Sequence, residues 1–287
     1  FRKETLYQKM RALIIYLVIS AVFIGCTPIL SIGASTQDVY HFHDTDKNIS
    51  LLDVSAIFGS YDGSFVLYDN HLDSWKIYNL EEANKRIPPD STYKIYDALL
   101  GLESGIITPE HSSMAWNGEH FSYSAWENDQ DLNSAMQNSV NWYFQTMDSQ
   151  LGLNKIQEFL NEIEYGNQTT SSNLKLYWSD FSLKISPIEQ VELLKKFNTN
   201  GFHLHSQNVL SVKNAIKIVG TSDGTFYGKT GTGCIDGQDI NGWFIGYIET
   251  SDNIYYFATN IQSDSNATGK KALEITSAIL KKLHIWN

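Results

Sequence analysis

A serine and a lysine three residues apart occur twice in the chain, as Ser91-Thr92-Tyr93-Lys94 and as Ser172-Asn173-Leu174-Lys175. A pattern with two fixed positions arises about once by chance in a chain of this length, so context has to separate the two. Ser172 sits in a polar stretch after Gly166, whereas Ser91 directly follows Pro88-Pro89-Asp90, a sequence that stops the chain and caps a helix. On that helix, residues i and i+3 share a face, so the amine of Lys94 reaches the hydroxyl of Ser91. An amine buried there loses basicity toward neutral pH and can remove the serine proton, and the helix N-terminus favours negative charge beside the nucleophile. The chemistry is attack by a serine oxygen on an electrophilic carbon.

Two further groups have the composition of a binding site. Lys229-Thr230-Gly231 lies in a predicted strand, Tyr227–Gly233, where three glycines weaken the strand but let a ligand approach its backbone. An ammonium and hydroxyls on such an edge suit a carboxylate; taken alone, the segment also reads as a glycine-rich strand end with a solvated lysine. Ser139-Val140-Asn141 lies within a helical stretch, a spacing that by itself is common. Cys26 and Cys234 are too differently placed for a disulfide, and Cys234, next to glycine, reads as a small buried residue rather than a nucleophile. His41-Phe42-His43 and His203-Leu204-His205 lack carboxylate or cysteine partners nearby and are not read as a metal site.

The elements that must hold these residues follow from periodicity. Ser64–Asp69 and Ser74–Asn79 are β-rich runs around Asn70-His71-Leu72-Asp73, a hairpin signal. The helix opened by Ser91 carries Ile95, Leu99 and Leu102 on one face and ends at Gly105. Helical stretches are predicted over Leu132–Met147, Lys155–Glu164 and Pro187–Phe197. Strands are predicted over Thr225–Gly231, Trp243–Thr250 and Ile254–Ile261, and a last amphipathic helix over Lys270–Leu283. Strands early, helices in the middle, strands and a helix late give an α+β fold. One antiparallel sheet is built from both chain ends, with helices packed on it.

Taken together, Ser-x-x-Lys, Ser-x-Asn and Lys-Thr-Gly in this order form the pattern of penicillin-binding proteins and serine β-lactamases. The similarity extends to Ser91–Tyr96, Met136–Tyr143, Tyr165-Gly166-Asn167, Ser182–Ser186, Lys229–Gly233 and Asn241–Phe244. These segments resemble the transmembrane β-lactam sensor-transducers (BlaR/MecR-type), whose extracellular domain is similar to class D β-lactamases. The resemblance runs from about Ser50 to the C-terminus. It implies a serine β-lactamase/transpeptidase-like fold, with Ser91 as the acylated nucleophile and Lys94 as its base. No cofactor is implied beyond a carbon dioxide-derived carbamate that Lys94 could carry. It further implies that Ser139 relays a proton to the β-lactam nitrogen, that Lys229, Thr230 and Gly231 hold the drug carboxylate, and that the N–H groups of Ser91 and Thr232 form an oxyanion hole. Trp178 matches a class D tryptophan beside the modified lysine, and a core role suits it equally. Asn141 departs from the pattern: class D enzymes have valine there, which keeps the lysine pocket apolar. The implied function is a β-lactam receptor that is acylated at Ser91, is slow to deacylate and induces resistance; a class D β-lactamase is the alternative, and a peptidoglycan transpeptidase is a third reading.

The chain has 287 residues and a net charge of -11, enough for one sizeable core and too acidic for a nucleic-acid partner. Residues 1–37 carry +3, and no charge appears from Ala12 to Gln37. The sequence therefore predicts a basic cytoplasmic segment over 1–11, a membrane helix over 12–34, a polar linker over 35–50 and a penicillin-binding sensor domain over 51–287. This places the chain in the cell membrane with the sensor domain outside. A cleaved signal peptide or a lipoprotein leader around Val22–Cys26 is the alternative for the same run. The family's zinc-protease part carries a His-Glu-x-x-His motif; the chain has none, so the resemblance implies an upstream membrane and protease region as a partner absent from this sequence.

Overall fold

The structure is a computed structural model, and it describes residues 38–42 and 48–286. In chain order the strands are β1 (Asn48–Leu51), β2 (Asp62–Asp69), β3 (Ser74–Tyr78), β4 (Lys217–Thr221), β5 (Gly224–Ile235), β6 (Gln238–Glu249) and β7 (Ile254–Gln262). The helices are α1 (Ser55–Phe58), α2 (Leu80–Asn84), α3 (Lys94–Glu103), α4 (Leu132–Gln137), α5 (Asn141–Leu151), α6 (Leu153–Glu162), α7 (Pro187–Asn198), α8 (Ser206–Ala215) and α9 (Gly269–Lys282). A 3-10 turn, Asp90–Tyr93, leads directly into α3.

Among the described residues the strands form one seven-stranded sheet in the order β1-β3-β2-β7-β6-β5-β4. The expectation of an antiparallel sheet is corrected at one edge. There β1 pairs with β3 in parallel, so the sheet is mixed, and the remaining pairs are antiparallel. Alternation along the central strands divides two cores. Val66, Tyr68, Trp243, Ile245 and Tyr247 face the helical side, with α3, α5 and α7. Phe65, Leu67, Phe244, Ile248 and Phe257 face α9, where Ile275 and Ile279 cover them. Segment 38–42 lies against the domain: Val39 bridges Lys85, and the Tyr40 hydroxyl donates to Glu192.

The expected single helix over Leu132–Met147 is two helices. Between them Ser139 takes a left-handed conformation, φ +54°. Its N–H donates to Met136 O and the Val140 N–H to Ala135 O, which is the bond pattern of a Schellman cap. Glycine is the usual residue there, and a serine bears a strain of about 1 kcal/mol.

Among the described residues no helix is long and apolar enough to cross a membrane. This corrects the sequence-based placement of the chain in the cell membrane through a single helix with an extracellular sensor. The uncharged run 12–34 that carried that expectation lies outside the described residues.

Candidate active site

Where α3 begins, its first turn is held from three sides. Asn241 and Trp243 on β6 donate to Pro88 O at 3.1 and 2.8 Å. The Asp90 N–H donates to Trp178 O, and Gln190 of α7 donates to the Thr92 hydroxyl. Asp90 does not cap the helix as the sequence suggests. It is buried with φ +48°, and its carboxylate accepts from Asn241 Nδ2 at 2.7 Å. Burial raises its pKa well above the usual carboxylate range.

Lys94 is fully buried beneath Ser91. Its Nζ lies 2.9 Å from Ser91 Oγ, 2.9 Å from Ser139 O, 3.2 Å from Ser139 Oγ and 2.5 Å from Asn141 Oδ1. Burial, and then the neighbouring charge of Lys229, push its pKa well below the ordinary lysine value, while Asp97 and Asp90 pull it up. As a neutral amine it can donate to Ser139 O and Asn141 Oδ1 and turn its lone pair to the Ser91 hydroxyl, the arrangement of a general base. The Phe144 and Trp178 rings lie 5.4 and 5.0 Å away and close the lysine pocket.

Lys229 donates to Ser139 Oγ at 2.9 Å, so one serine hydroxyl sits between two lysine amines. Burial lowers the Lys229 pKa to about 7. Beyond Tyr227, β5 has lost its partner β4 and keeps only β6. The Gly228 N–H still points to the β4 side, where it donates to Ile216 O. By the two-residue alternation, the N–H groups of Thr230 and Thr232 point the same way, onto an edge with no strand partner among the described residues. Gly231 and Gly233 let this edge close on the nucleophile. A Cβ on Gly231 would lie 3.3 Å from Ser91 N, and one on Gly233 would lie 2.7 Å from Asp90 Oδ2. Behind the edge, the Gly269 N–H at the start of α9 donates to Thr232 Oγ1.

Ser91, Ser139, Asn141, Thr230, Gly231 and Thr232 line one cleft of about 320 Å³, with Tyr123, Trp126, Asn138, Cys234 and Asp239 at its walls. Lys94 and Lys229 meet there through their hydrogen bonds. A larger cavity of about 670 Å³, around Tyr40, Arg86, Glu189 and Lys195, has neither serine nor cysteine in its lining. Trp178 borders the lysine rather than the open cleft, and its buried Nε1–H has no acceptor among the described residues. That orphaned donor fits a carbamate on Lys94, which Trp178 would hold and which would supply a general base. Cys234 is exposed at the cleft wall, not buried as expected. Sequence reasoning read Asp90 only as a cap and missed Asn241, Trp126 and Asp239 as site residues. Of the missed residues Asn241 alone gave a signal, in the segment Asn241-Gly242-Trp243-Phe244 that resembles the family.

A serine oxygen beside a buried amine and a strand edge of N–H donors can support acyl transfer. Residues 60–281 match the family "Penicillin binding protein transpeptidase domain". The chain is 42% identical over 283 residues to "Regulatory protein BlaR1" of Bacillus licheniformis, covering 98% of this chain and 46% of that protein. It is 38% identical over 278 residues to "Methicillin resistance mecR1 protein" of Staphylococcus aureus, covering 97% and 47%. The chain thus spans about half the length of these curated relatives. Among solved structures, the "C-terminal domain of the Bacillus licheniformis BlaR penicillin-receptor" superposes with a TM-score of 0.82 at 44% identity, covering 84% of this chain and 99% of that one. A class D β-lactamase from Bacillus subtilis gives 0.77 at 33% identity, covering 82% and 97%. The chain therefore belongs to the penicillin-binding transpeptidase-domain family, in its branch of BlaR1/MecR1-type penicillin-sensor domains homologous to class D β-lactamases.

Proposed function

We propose that this chain is the β-lactam receptor of a signal-transducing protein, acylated at Ser91 and slow to release the drug. Lys94 takes the Ser91 proton as Oγ attacks the β-lactam carbonyl, and the N–H groups of Ser91 and Thr232 receive the oxyanion. Ser139, between Lys94 and Lys229, passes a proton to the ring nitrogen as the C–N bond breaks. Lys229 and Thr230 hold the drug carboxylate beside Gly231. Occupancy would then be reported to the rest of a longer protein, for which the resemblance implies an upstream zinc-protease part. The observation that carries the receptor reading over turnover is the 2.5 Å bond from Lys94 Nζ to Asn141 Oδ1. It gives the amine an acceptor that stays in place once Ser91 Oγ has become an ester. The orphaned Nε1–H of Trp178 favours the second reading, a class D β-lactamase working through a carbamate.

Fluorescent penicillin tests the assignment. Labelling is expected to reach one per chain, to vanish in Ser91→Ala and to slow by about a hundredfold or more in Lys94→Ala. Undiminished labelling of Ser91→Ala would refute it. Release of many drug molecules per site at a steady rate would favour the β-lactamase.

A further inference from the structure

Two buried carboxyl groups lie behind Lys94, and the acylation steps use neither. Asp97, one turn along α3, is fully buried, and among the described residues no donor reaches either of its carboxyl oxygens. Asp148 of α5 is also fully buried; its Oδ1 accepts from the Tyr177 hydroxyl at 3.2 Å, and its Oδ2 has no donor among the described residues. The two carboxyls are within hydrogen-bonding reach of each other. A bond between two carboxyls requires a proton, because two carboxylates offer only acceptors. Burial raises both above the usual carboxylate range, and the charge of Asp148 raises Asp97 further. Around the pair stand Tyr93 from the turn before α3, Tyr143 from α5 and Tyr177 from the loop after α6, together with Lys94, whose charge opposes the rise at Asp97. Lys94 in turn faces Asp90 and Lys229.

We propose that Asp97 and Asp148 share one proton, and that the single negative charge left on the pair holds Lys94 as an ammonium once Ser91 is acylated, lengthening the life of the ester. They are positioning residues that act through Lys94. The inference rests on the reading of Ser91 as the acylated nucleophile. After acylation the serine proton has passed through Lys94 and Ser139 to the β-lactam nitrogen, and Lys94 is left neutral. With Ser91 Oγ now an ester oxygen, the hydroxyl that donated to the amine lone pair is gone, and Lys94 takes a proton from solvent instead. The nearby carboxyl charge favours that form, and an ammonium neither accepts a proton from water nor adds carbon dioxide.

The test is decay of the fluorescent penicillin ester across pH in the natural chain, Asp97→Asn, Asp148→Asn and the double variant, with bicarbonate present. In a single variant the amide N–H₂ stands where the shared proton stood, so one carboxylate, one bridging hydrogen and the charge remain. Each single variant should keep the ester lifetime within about twofold. The double variant is isosteric but neutral. Its ester should decay at least about tenfold faster near neutral pH, with the acid limb of the profile moved to lower pH, because the Lys94 ammonium has lost its partner charge. A double variant with the natural lifetime and profile overturns the inference, as does a single variant that behaves like the double. Infrared difference spectra give a second readout that does not need the double variant to fold. Asp90, also raised by burial, keeps its own protonated-carboxyl band in every variant; one further such band of the natural chain should be lost in either single variant, and persistence of every band in both overturns the shared proton. A natural chain that takes no label overturns the Ser91 reading and this inference with it, so the two failures are distinguishable.

Discussion

At Lys94, one amine has four oxygen neighbours in reach, and which of them it serves decides between receptor and enzyme. Ser91 Oγ is consumed by acylation, while Asn141 Oδ1 and Ser139 O are not. Replacing Asn141 by valine removes the closest acceptor and returns the pocket, already bounded by Phe144 and Trp178, to an apolar lining. The ammonium form then loses a charge-assisted hydrogen bond, and about 1.4 kcal/mol lost there shifts its protonation equilibrium tenfold. Asn141→Val is therefore expected to release penicillin about tenfold faster than the natural chain when bicarbonate is supplied. Turnover measured with a chromogenic cephalosporin checks this, and equal rates would make Asn141 a neutral difference. Ser91, Lys94, Ser139 and Lys229 were legible because their spacings recur as a set. Asp97 and Asp148 were not. Nothing in sequence separates a carboxylate on a solvated helix face from one walled in by a helix of distant origin.

Element boundaries carry as much of the site as the side chains do. The helical periodicity of Leu132–Met147 is real, yet the chain breaks at Asn138–Val140, because a Schellman cap closes α4 and aims Ser139 at both lysines. Serine in a position that favours glycine hides such a cap from sequence reading. Strand β5 was legible from Thr225 onward, but its free edge was not, because that depends on where β4 stops. β4 is exposed along its whole length and lacks the buried alternation that announces a strand. On the other side of β5, α9 begins in contact with it. A Cβ on Gly269 would lie 2.7 Å from Gly231 O and 2.8 Å from Thr230 Cβ, atoms of the segment that faces the cleft. Alanine is the better helix former, so by propensity alone Gly269→Ala would stabilise α9. Here it should instead press β5 toward the nucleophile and slow acylation about tenfold or more, while far-ultraviolet circular dichroism stays unchanged. An acylation rate equal to that of the natural chain would show that β5 yields freely.

Across the whole molecule, strands from both ends of the chain meet in one sheet, and the helical face buries the titratable groups of the site. The division into strands and helices and the return of the last strands beside the first were readable from the order of periodic runs. The parallel edge strand β1 was not, because its Asn-Ile-Ser-Leu alternation lasts only four residues and its side chains stay largely exposed. Burying a carboxyl pair that keeps a proton has a consequence for stability, with a sign that linkage fixes. Asp97 and Asp148 are raised in the folded state, so between the unfolded carboxylate range, near pH 4, and their folded values the native chain binds more protons than the unfolded chain. Their contribution is fully present below that range and is lost as pH rises through the folded values. Each extra proton held by the native state costs about 1.4 kcal/mol of stability per pH unit on the way up. Lys94 and Lys229 are lowered and work in the opposite sense at higher pH, so the natural chain alone does not isolate the term. The difference between the natural chain and Asp97→Asn/Asp148→Asn does isolate it. The amides do not titrate, so the double variant should gain on the natural chain as pH rises from about 5 to 8, by about 1 kcal/mol or more, measured by urea unfolding. A difference that stays flat over that interval would mean that the pair is already ionised in the folded chain, with its oxygens satisfied in some other way.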